Sequence, residues 1–291
     1  MRTMLDLAVK GLAACAAAFQ FLTRLPVPVQ LVYSDALFRR SVVFYPLVGV
    51  VLGLLLSAAA ALLEGRIFLA AWLEGMGSGV TAALLLAAWI GMTGALHLDG
   101  LMDTADGVLS QRSRERMLEI MKDSSVGAMG VVACAIMLLC KWALLEQWLT
   151  MPYRASAYAL PLVLLWSRWF MVVAIALWPY ARTGEHRGNG SHADAQRGLG
   201  SFFRGLGVRH LLLHTMLAVM LSVGLLWLAG TGPAVWVRVI GVIATATVAL
   251  GTWMSFRLSR TLGGLTGDTY GAMNEILEAA LLLILYIVLQ Q

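Results

Sequence analysis

Apolar residues gather into about seven runs of roughly twenty residues, and polar residues fill the gaps between them. The runs cover about 41–63, 79–98, 127–150, 155–178, 210–230, 234–254 and 271–290. About 20 helical residues at 1.5 Å rise cross a hydrocarbon layer of roughly 30 Å. The pattern therefore predicts an all-α, polytopic integral membrane protein with about seven transmembrane helices. A further run, about 5–23, is interrupted by Lys10 and Gln20 and is rich in alanine. It predicts an N-terminal helix lying in the interface, with an additional membrane helix as the alternative. Nothing in the pattern divides the chain, so residues 1–291 read as a single transmembrane domain.

Composition agrees with lipid as one solvent. The chain is 60% apolar and only 13% charged, where soluble domains carry about 25% charged residues. The net charge of +5 does not form a basic patch for nucleic acid, because the charges sit in the gaps between apolar runs. Cys15, Cys134 and Cys140 all lie in apolar stretches and read as small buried hydrophobes, with no disulfide framework and no zinc spacing. Orientation follows from lysine and arginine. One set of loops carries Arg24, Arg39, Arg40, Arg112, Arg114, Arg116, Lys122, Arg182, Arg187, Arg197, Arg204, Arg209, Arg257 and Arg260; the alternate loops carry Arg66 and Arg154. The first set is expected in the cytoplasm, which places the C-terminus outside.

The polar motifs fall on that same side. The first is His97-Leu98-Asp99-Gly100-Leu101-Met102-Asp103-Thr104-Ala105-Asp106-Gly107. Its carboxylates are spaced i, i+4 and i+7, which clusters them on one helix face. Like charges so placed repel, and a divalent cation reverses the sign of that interaction. Mg²⁺ takes hard oxygen ligands and keeps positions for phosphate oxygens, so Asp99, Asp103 and Asp106 are the expected metal ligands. Gly100 and Gly107 would let a diphosphate approach the backbone. The competing reading is an ordinary solvated helix end.

The second motif runs from Arg112 to Gly130. Residues 113–123 predict a short amphipathic helix resting on the membrane surface, which delivers Lys122-Asp123-Ser124 to the next span. Lys122 suits phosphate. The third, Gly263 to Glu278, is a glycine-rich turn entering the last span, with Asp268 at the turn and Asn274, Glu275 and Glu278 inside the helix. Ionisable groups at that depth are costly and mark function by default, although pairing with Arg257 and Arg260 would make them structural. Arg168 also lies within a span and needs a partner or a wet cavity, whereas Lys141 reads as a snorkelling side chain. The 180–209 loop is basic, through the arginines named above with His186 and His192.

Taken in order, these segments resemble the cobalamin synthase family. The resemblance runs nearly end to end: Phe21 to Pro26, Pro46 to Gly49, Gly94 to Gly107, Arg114 to Gly130, and Gly263 to Glu278. The family's acid run departs here only at Met102. Its usual K-D-S-R-I-G reads Lys122-Asp123-Ser124-Ser125-Val126-Gly127, so an arginine is missing at 125. The resemblance implies a transmembrane catalytic domain in the bacterial inner membrane, with its site facing the cytoplasm. It implies transfer of adenosylcobinamide phosphate from adenosylcobinamide-GDP to α-ribazole or α-ribazole 5′-phosphate, with release of GMP. Mg²⁺ is the implied cofactor, and homo-oligomerisation stays open. Candidates for the general base are Asp106, Asp123 and Glu275. Candidates for binding substrate are His97, Gly100, Gly107, Lys122, Arg257, Arg260, Asp268, Asn274 and Glu278. Two other classes remain: a CDP-alcohol-type phosphatidyltransferase, suggested by Asp103-Thr104-Ala105-Asp106-Gly107, and an ion-coupled transporter, disfavoured by the absence of a visible repeat.

Overall fold

The computed structural model describes residues 2–65, 77–151, 153–181 and 206–290. The described residues are helical apart from short connections. The helices are α1 (Arg2–Leu22), α2 (Asp35–Ser41), α3 (Tyr45–Leu63), α4 (Ser78–Thr93), α5 (Leu96–Leu109), α6 (Arg114–Ile120), α7 (Ala128–Leu149), α8 (Tyr153–Leu177), α9 (Val208–Leu228), α10 (Pro233–Leu262) and α11 (Gly267–Leu289). Six of them, α3 with α2 at its head and α7 to α11, are long and apolar enough to cross a membrane; α4 and the sharply turned α5 add a seventh only if the two are counted as one span. This is a multi-pass membrane protein. The apolar part of α1 is shorter than a span, and α1 buries Ala14, Ala17, Ala18 and Leu22 against the bundle.

α8 is the central helix, with Leu162 to Leu165 fully buried. Its closest neighbour is α3, and glycine explains why. A Cβ on Gly49 or Gly53 would overlap the α8 backbone at Leu164 or Pro161. Between membrane helices there is little hydrophobic drive, so backbones brought together by small residues four apart gain their stability from packing. By contrast α7 turns Val131, Val132, Ile136 and Leu139 outward, as a lipid-facing helix must. Cys140 is exposed on the same helix and Cys15 and Cys134 are only partly covered, so the cysteines are not the buried hydrophobes expected from the sequence.

Two chain reversals shape one end of the bundle. α4 stops at Gly94 (φ 62) and Ala95 (φ 58). The Ala95 N–H donates to Ile90 O (3.1 Å) and the Gly94 N–H to Gly91 O (3.2 Å), a left-handed helix end that satisfies the last carbonyls. Ala95 holds this conformation at a cost of about 1–2 kcal/mol. α5 then leaves α4 at 89°, so the expected span to residue 98 ends five residues early and the acid motif lies on the turned helix. At the second reversal α10 ends on Gly263 (φ 72) and Gly264 (φ 152). Leu265 then pairs with the chain leaving α8: Leu265 N–H to Pro179 O and Ala181 N–H to Leu265 O, both 2.8 Å. Thr266 and Thr269 close a capping box that starts α11.

α6 forms where the amphipathic pattern predicts, but its apolar side is not left for lipid. Met117, Leu118 and Met121 are buried with Ala181 and Leu262, because α6 folds back onto the turned α5 and the end of α10. The outcome is that α5, α6 and the first turns of α7 and α11 meet at one end of the bundle.

Candidate active site

The acid face begins on α5. Asp99 is exposed and Asp103 partly buried. Across from them, α11 brings Asp268 in close, because Gly100 has no side chain: a Cβ there would stand 2.7 Å from the Asp268 carbonyl oxygen. One turn further along α11, Gly271 would meet the His97 backbone at 3.1 Å. The Asp103 carboxyl is pushed up to about 6, first by its burial and then by the negative charges of Asp99, Asp268 and Asp106. No lysine or arginine among the described residues forms an ion pair with Asp99, Asp103 or Asp268.

Asp106 is engaged differently. Its two carboxylate oxygens accept from the Gly127 N–H (2.8 Å) and the Gly130 N–H (2.7 Å). It therefore caps the first turn of α7 from another helix, satisfying donors that the helix itself leaves open and placing negative charge at the positive end of its dipole. A Cβ on Gly127 or Gly130 would collide with that carboxylate. Angular spacing on α5 groups Asp106 with Asp99 and Asp103, but α7 supplies the stronger local partner. Among the described residues no three His, Cys, Asp or Glu side chains stand close enough together to hold a metal ion.

The two glycines expected to admit a diphosphate are filled from within the protein. Gly100 is covered by Asp268, and Gly107 faces the Met121 side chain and the Met117 carbonyl of α6. They allow helices to meet, which leaves no open space at either position for a phosphate.

Deeper in the bundle the polar residues of α11 form one buried network. Lys141 Nζ donates to Glu275 Oε2 and to Glu278 Oε2, both at 2.6 Å. Arg168 Nη1 donates to Glu278 Oε1 at 2.8 Å. The Asn274 amide nitrogen donates to the same oxygen (2.9 Å) and lies 3.0 Å from His97 Nδ1. An amide oxygen facing Glu278 would repel it, so the amide nitrogen faces the carboxylate. His97 Nδ1 is then the acceptor, and the ring proton falls on Nε2. The two cations balance the two acids, and an ion set this deep persists only when so paired. Lys141 does not snorkel. It is 2% exposed, and its ammonium also lies 4.5 Å from the centre of the Trp89 ring. Arg257 and Arg260 are not the partners of Glu275 and Glu278: both are exposed at the end of α10, where Arg260 stacks on Phe256 at 5.4 Å.

The remaining candidates lie in the segment between α6 and α7. Lys122 is exposed just beyond α6. Asp123 is exposed, and the Ser125 N–H at 2.9 Å holds its carboxyl below the usual range. Of the three acids expected to take a proton, then, Asp106 caps α7, Glu275 shares Lys141, and the Asp123 carboxylate is held by the Ser125 N–H. One residue missed from the sequence belongs here. The Arg114 guanidinium rests on Gly263, where any Cβ would overlap it, so a cation lies on the glycine turn before Asp268. The basic segment with Arg182, His186, Arg187, His192, Arg197 and Arg204 lies outside the described residues.

Comparison with known proteins follows this geometry. The profile of the cobalamin-5-phosphate synthase family matches residues 14–286. The chain is 39% identical over 266 residues to the adenosylcobinamide-GDP ribazoletransferase of Desulfitobacterium hafniense, covering 91% of this chain and 93% of that protein. It is 36% identical over 280 residues to the protein of the same name from Pseudomonas aeruginosa, covering 95% and 98%. No solved structure matches.

Proposed function

The chain belongs to the cobalamin-5-phosphate synthase family, and from that premise we propose that it is an adenosylcobinamide-GDP ribazoletransferase. The reaction joins a hydroxyl of α-ribazole, or of its 5′-phosphate, to the phosphorus on the corrinoid side of the diphosphate. The phosphorus–oxygen bond to the guanosine half breaks, GMP leaves with the bridging oxygen, and the hydroxyl loses its proton. The observation that carries this reading is the acid face of Asp99, Asp103 and Asp268, none of which forms an ion pair among the described residues, with Arg114 on the glycine turn that precedes Asp268.

The donor chemistry suits a hard divalent cation, but as placed no three acidic side chains among the described residues stand close enough together to hold one. Carboxylate oxygens are its chemistry, and beside the burial that chiefly raises Asp103, the like-charge repulsion from its neighbours is what a cation would relieve. To hold Mg²⁺, Asp99, Asp103 and Asp268 would have to draw closer together than they stand, while Asp106 keeps its place as the cap of α7. Mg²⁺, if bound, would neutralise charge on the diphosphate. The protein groups supply position and further positive charge: Arg114 on the glycine turn, Arg257 and Arg260 at the exposed end of α10 and Lys122 just beyond α6 suit phosphate oxygens. Phosphoryl transfer through a loose transition state depends mainly on such positioning and charge, and little on a strong base. The Lys141–Glu275–Glu278–Arg168 network fixes α11 against α7 and α8 and so holds Asp268 where α5 meets it. The lysine and arginine bias of the loops supports a site on the cytoplasmic side of the bacterial inner membrane.

The test is the nucleotide released. Protein in detergent, given adenosylcobinamide-GDP, α-ribazole and Mg²⁺, should release GMP in proportion to cobalamin formed. A phosphatidyltransferase would instead release CMP from a CDP-alcohol, and a transporter would release neither.

A further inference from the structure

A cavity of 340 Å³ opens beside the start of α5, outside the acid face and outside the residues assigned so far. Its walls come from the end of α1, the segment after it, α2 and the α4–α5 turn. Three rings build one side. Phe38 stands edge-on to Phe21 at 5.9 Å and is stacked with Tyr33 at 5.4 Å. Leu96, Arg24, Gln20, Thr23 and Thr93 make up the rest of the lining.

The polar atoms of the lining are already committed within the protein. The Gln20 amide nitrogen donates to Val27 O (3.1 Å) and Val29 O (2.7 Å), and its oxygen accepts from the Tyr33 hydroxyl (2.5 Å). These bonds brace the segment that carries Tyr33. Arg24 differs. Its backbone N–H is tied to Met92 O at 2.7 Å, and its side chain runs over Gly94, where a Cβ would stand 2.5 Å from Nε. Its guanidinium has no hydrogen bond or ion pair among the described residues. The cavity thus offers flat apolar walls and one uncommitted cation, which select a planar ring bearing an anionic group. Its volume sits at the low end for small-ligand sites, which excludes a corrinoid.

The cavity also points the right way. On α5, Leu96 and Asp103 are seven residues apart and fall within about 20° of each other around the helix, with Asp99 between them along the axis. Seven residues rise about 10 Å, so a ring beside Leu96 could carry its phosphate toward the acid face. We propose that this cavity is a nucleotide subsite, taking a planar heteroaromatic base on a ribose phosphate and reading it by stacking and by Arg24. This rests on the reaction proposed above, in which that chemistry belongs to the guanosine phosphate of the donor and to the 5′-phosphate form of the α-ribazole acceptor.

The test uses the full chain in detergent, with GMP and α-ribazole 5′-phosphate as probes in titration calorimetry. Leu96 is 42% exposed, so Leu96→Trp fills the cavity without repacking the bundle, and Arg24→Gln removes the cation. Both variants should bind one probe at least tenfold more weakly than the parent and the other as before, with unchanged melting temperatures. Loss of GMP assigns the cavity to the donor, and loss of α-ribazole 5′-phosphate assigns it to the acceptor. Binding of both probes at parent strength by both variants, or no binding of either probe to the parent, overturns the subsite. GMP release from adenosylcobinamide-GDP is followed in the same preparation. Turnover with unaltered probe binding sinks the subsite alone. Probe binding lost in the variants of a protein without turnover sinks the reaction and leaves the subsite standing.

Discussion

Lys141→Met keeps a long unbranched chain on α7 but removes the ammonium that touches both Glu275 and Glu278 at 2.6 Å. What remains is one cation, Arg168, held to Glu278 at 2.8 Å, against two acids. Glu275 is then buried without a partner, its side chain 9% exposed. Removing one member of a buried ion pair costs about 3–5 kcal/mol, mostly because the other charge is stranded. A substantial fall in melting temperature in detergent follows, together with loss of rate as α11 loosens from α7. The charge count supplies the control. Adding Glu275→Gln to Lys141→Met restores one cation to one acid, so the double variant should melt above the Lys141→Met single. Such coupling is expected of side chains in direct contact. Glu275→Gln alone should lose stability with only a modest loss of rate, because it leaves a surplus cation and does not touch the acid face. If Lys141→Met melts with the parent, or the double variant melts below Lys141→Met, the network does not hold these helices together.

Three further outcomes test the same end of the molecule. Asp106→Asn offers one acceptor where two backbone N–H groups need one each, so it should lower stability by about 1–2 kcal/mol, as loss of a helix cap does, read as a melting shift. Asp103→Asn should abolish most turnover while melting at or above the parent in metal-free buffer at pH 7. The sign follows from the raised carboxyl: the folded state holds the Asp103 proton more tightly than the unfolded chain, so that stabilisation is complete below about pH 4 and lost as pH rises through about 6. The melting advantage of the variant should therefore grow across that window and then level off. With Cys15, Cys134 and Cys140 replaced by alanine, Ser113→Cys should react with an impermeant maleimide only after cells are opened; labelling of intact cells would reverse the orientation.

The spans were legible because a bilayer demands length and apolarity and little else. The predicted 127–150 and 271–290 coincide with α7 and α11 within a few residues. The break at Gly94 was harder to see, since Thr93-Gly94-Ala95 continues an apolar run and only the left-handed pair shows that the helix ends. Spacing correctly put Asp99 and Asp103 on one side of α5, but it could not show that Asp106 would be drawn away by the open N–H groups of α7, a partner 21 residues on. Lys141, Arg168, Glu275 and Glu278 each announced themselves as charges inside apolar runs. Their pairing depends on how α7, α8 and α11 pack, which a single chain's periodicity does not encode. Gly49 and Gly53, four apart, signal a close helix contact without naming α8 as its other half. The cavity beside Arg24 had no sequence signal, being formed by four separate segments.

The central claim is that the acid face of α5 and α11 transfers a corrinoid phosphate from a GDP-linked donor. The most direct measurement is GMP release from adenosylcobinamide-GDP with α-ribazole, comparing purified parent with Asp99→Asn and Asp268→Asn across a Mg²⁺ titration. The account predicts stoichiometric GMP and cobalamin from the parent, no product without a divalent cation, and a fall of at least a hundredfold in both variants at equal melting temperature. Parent-level GMP release by both variants at saturating Mg²⁺ would contradict it.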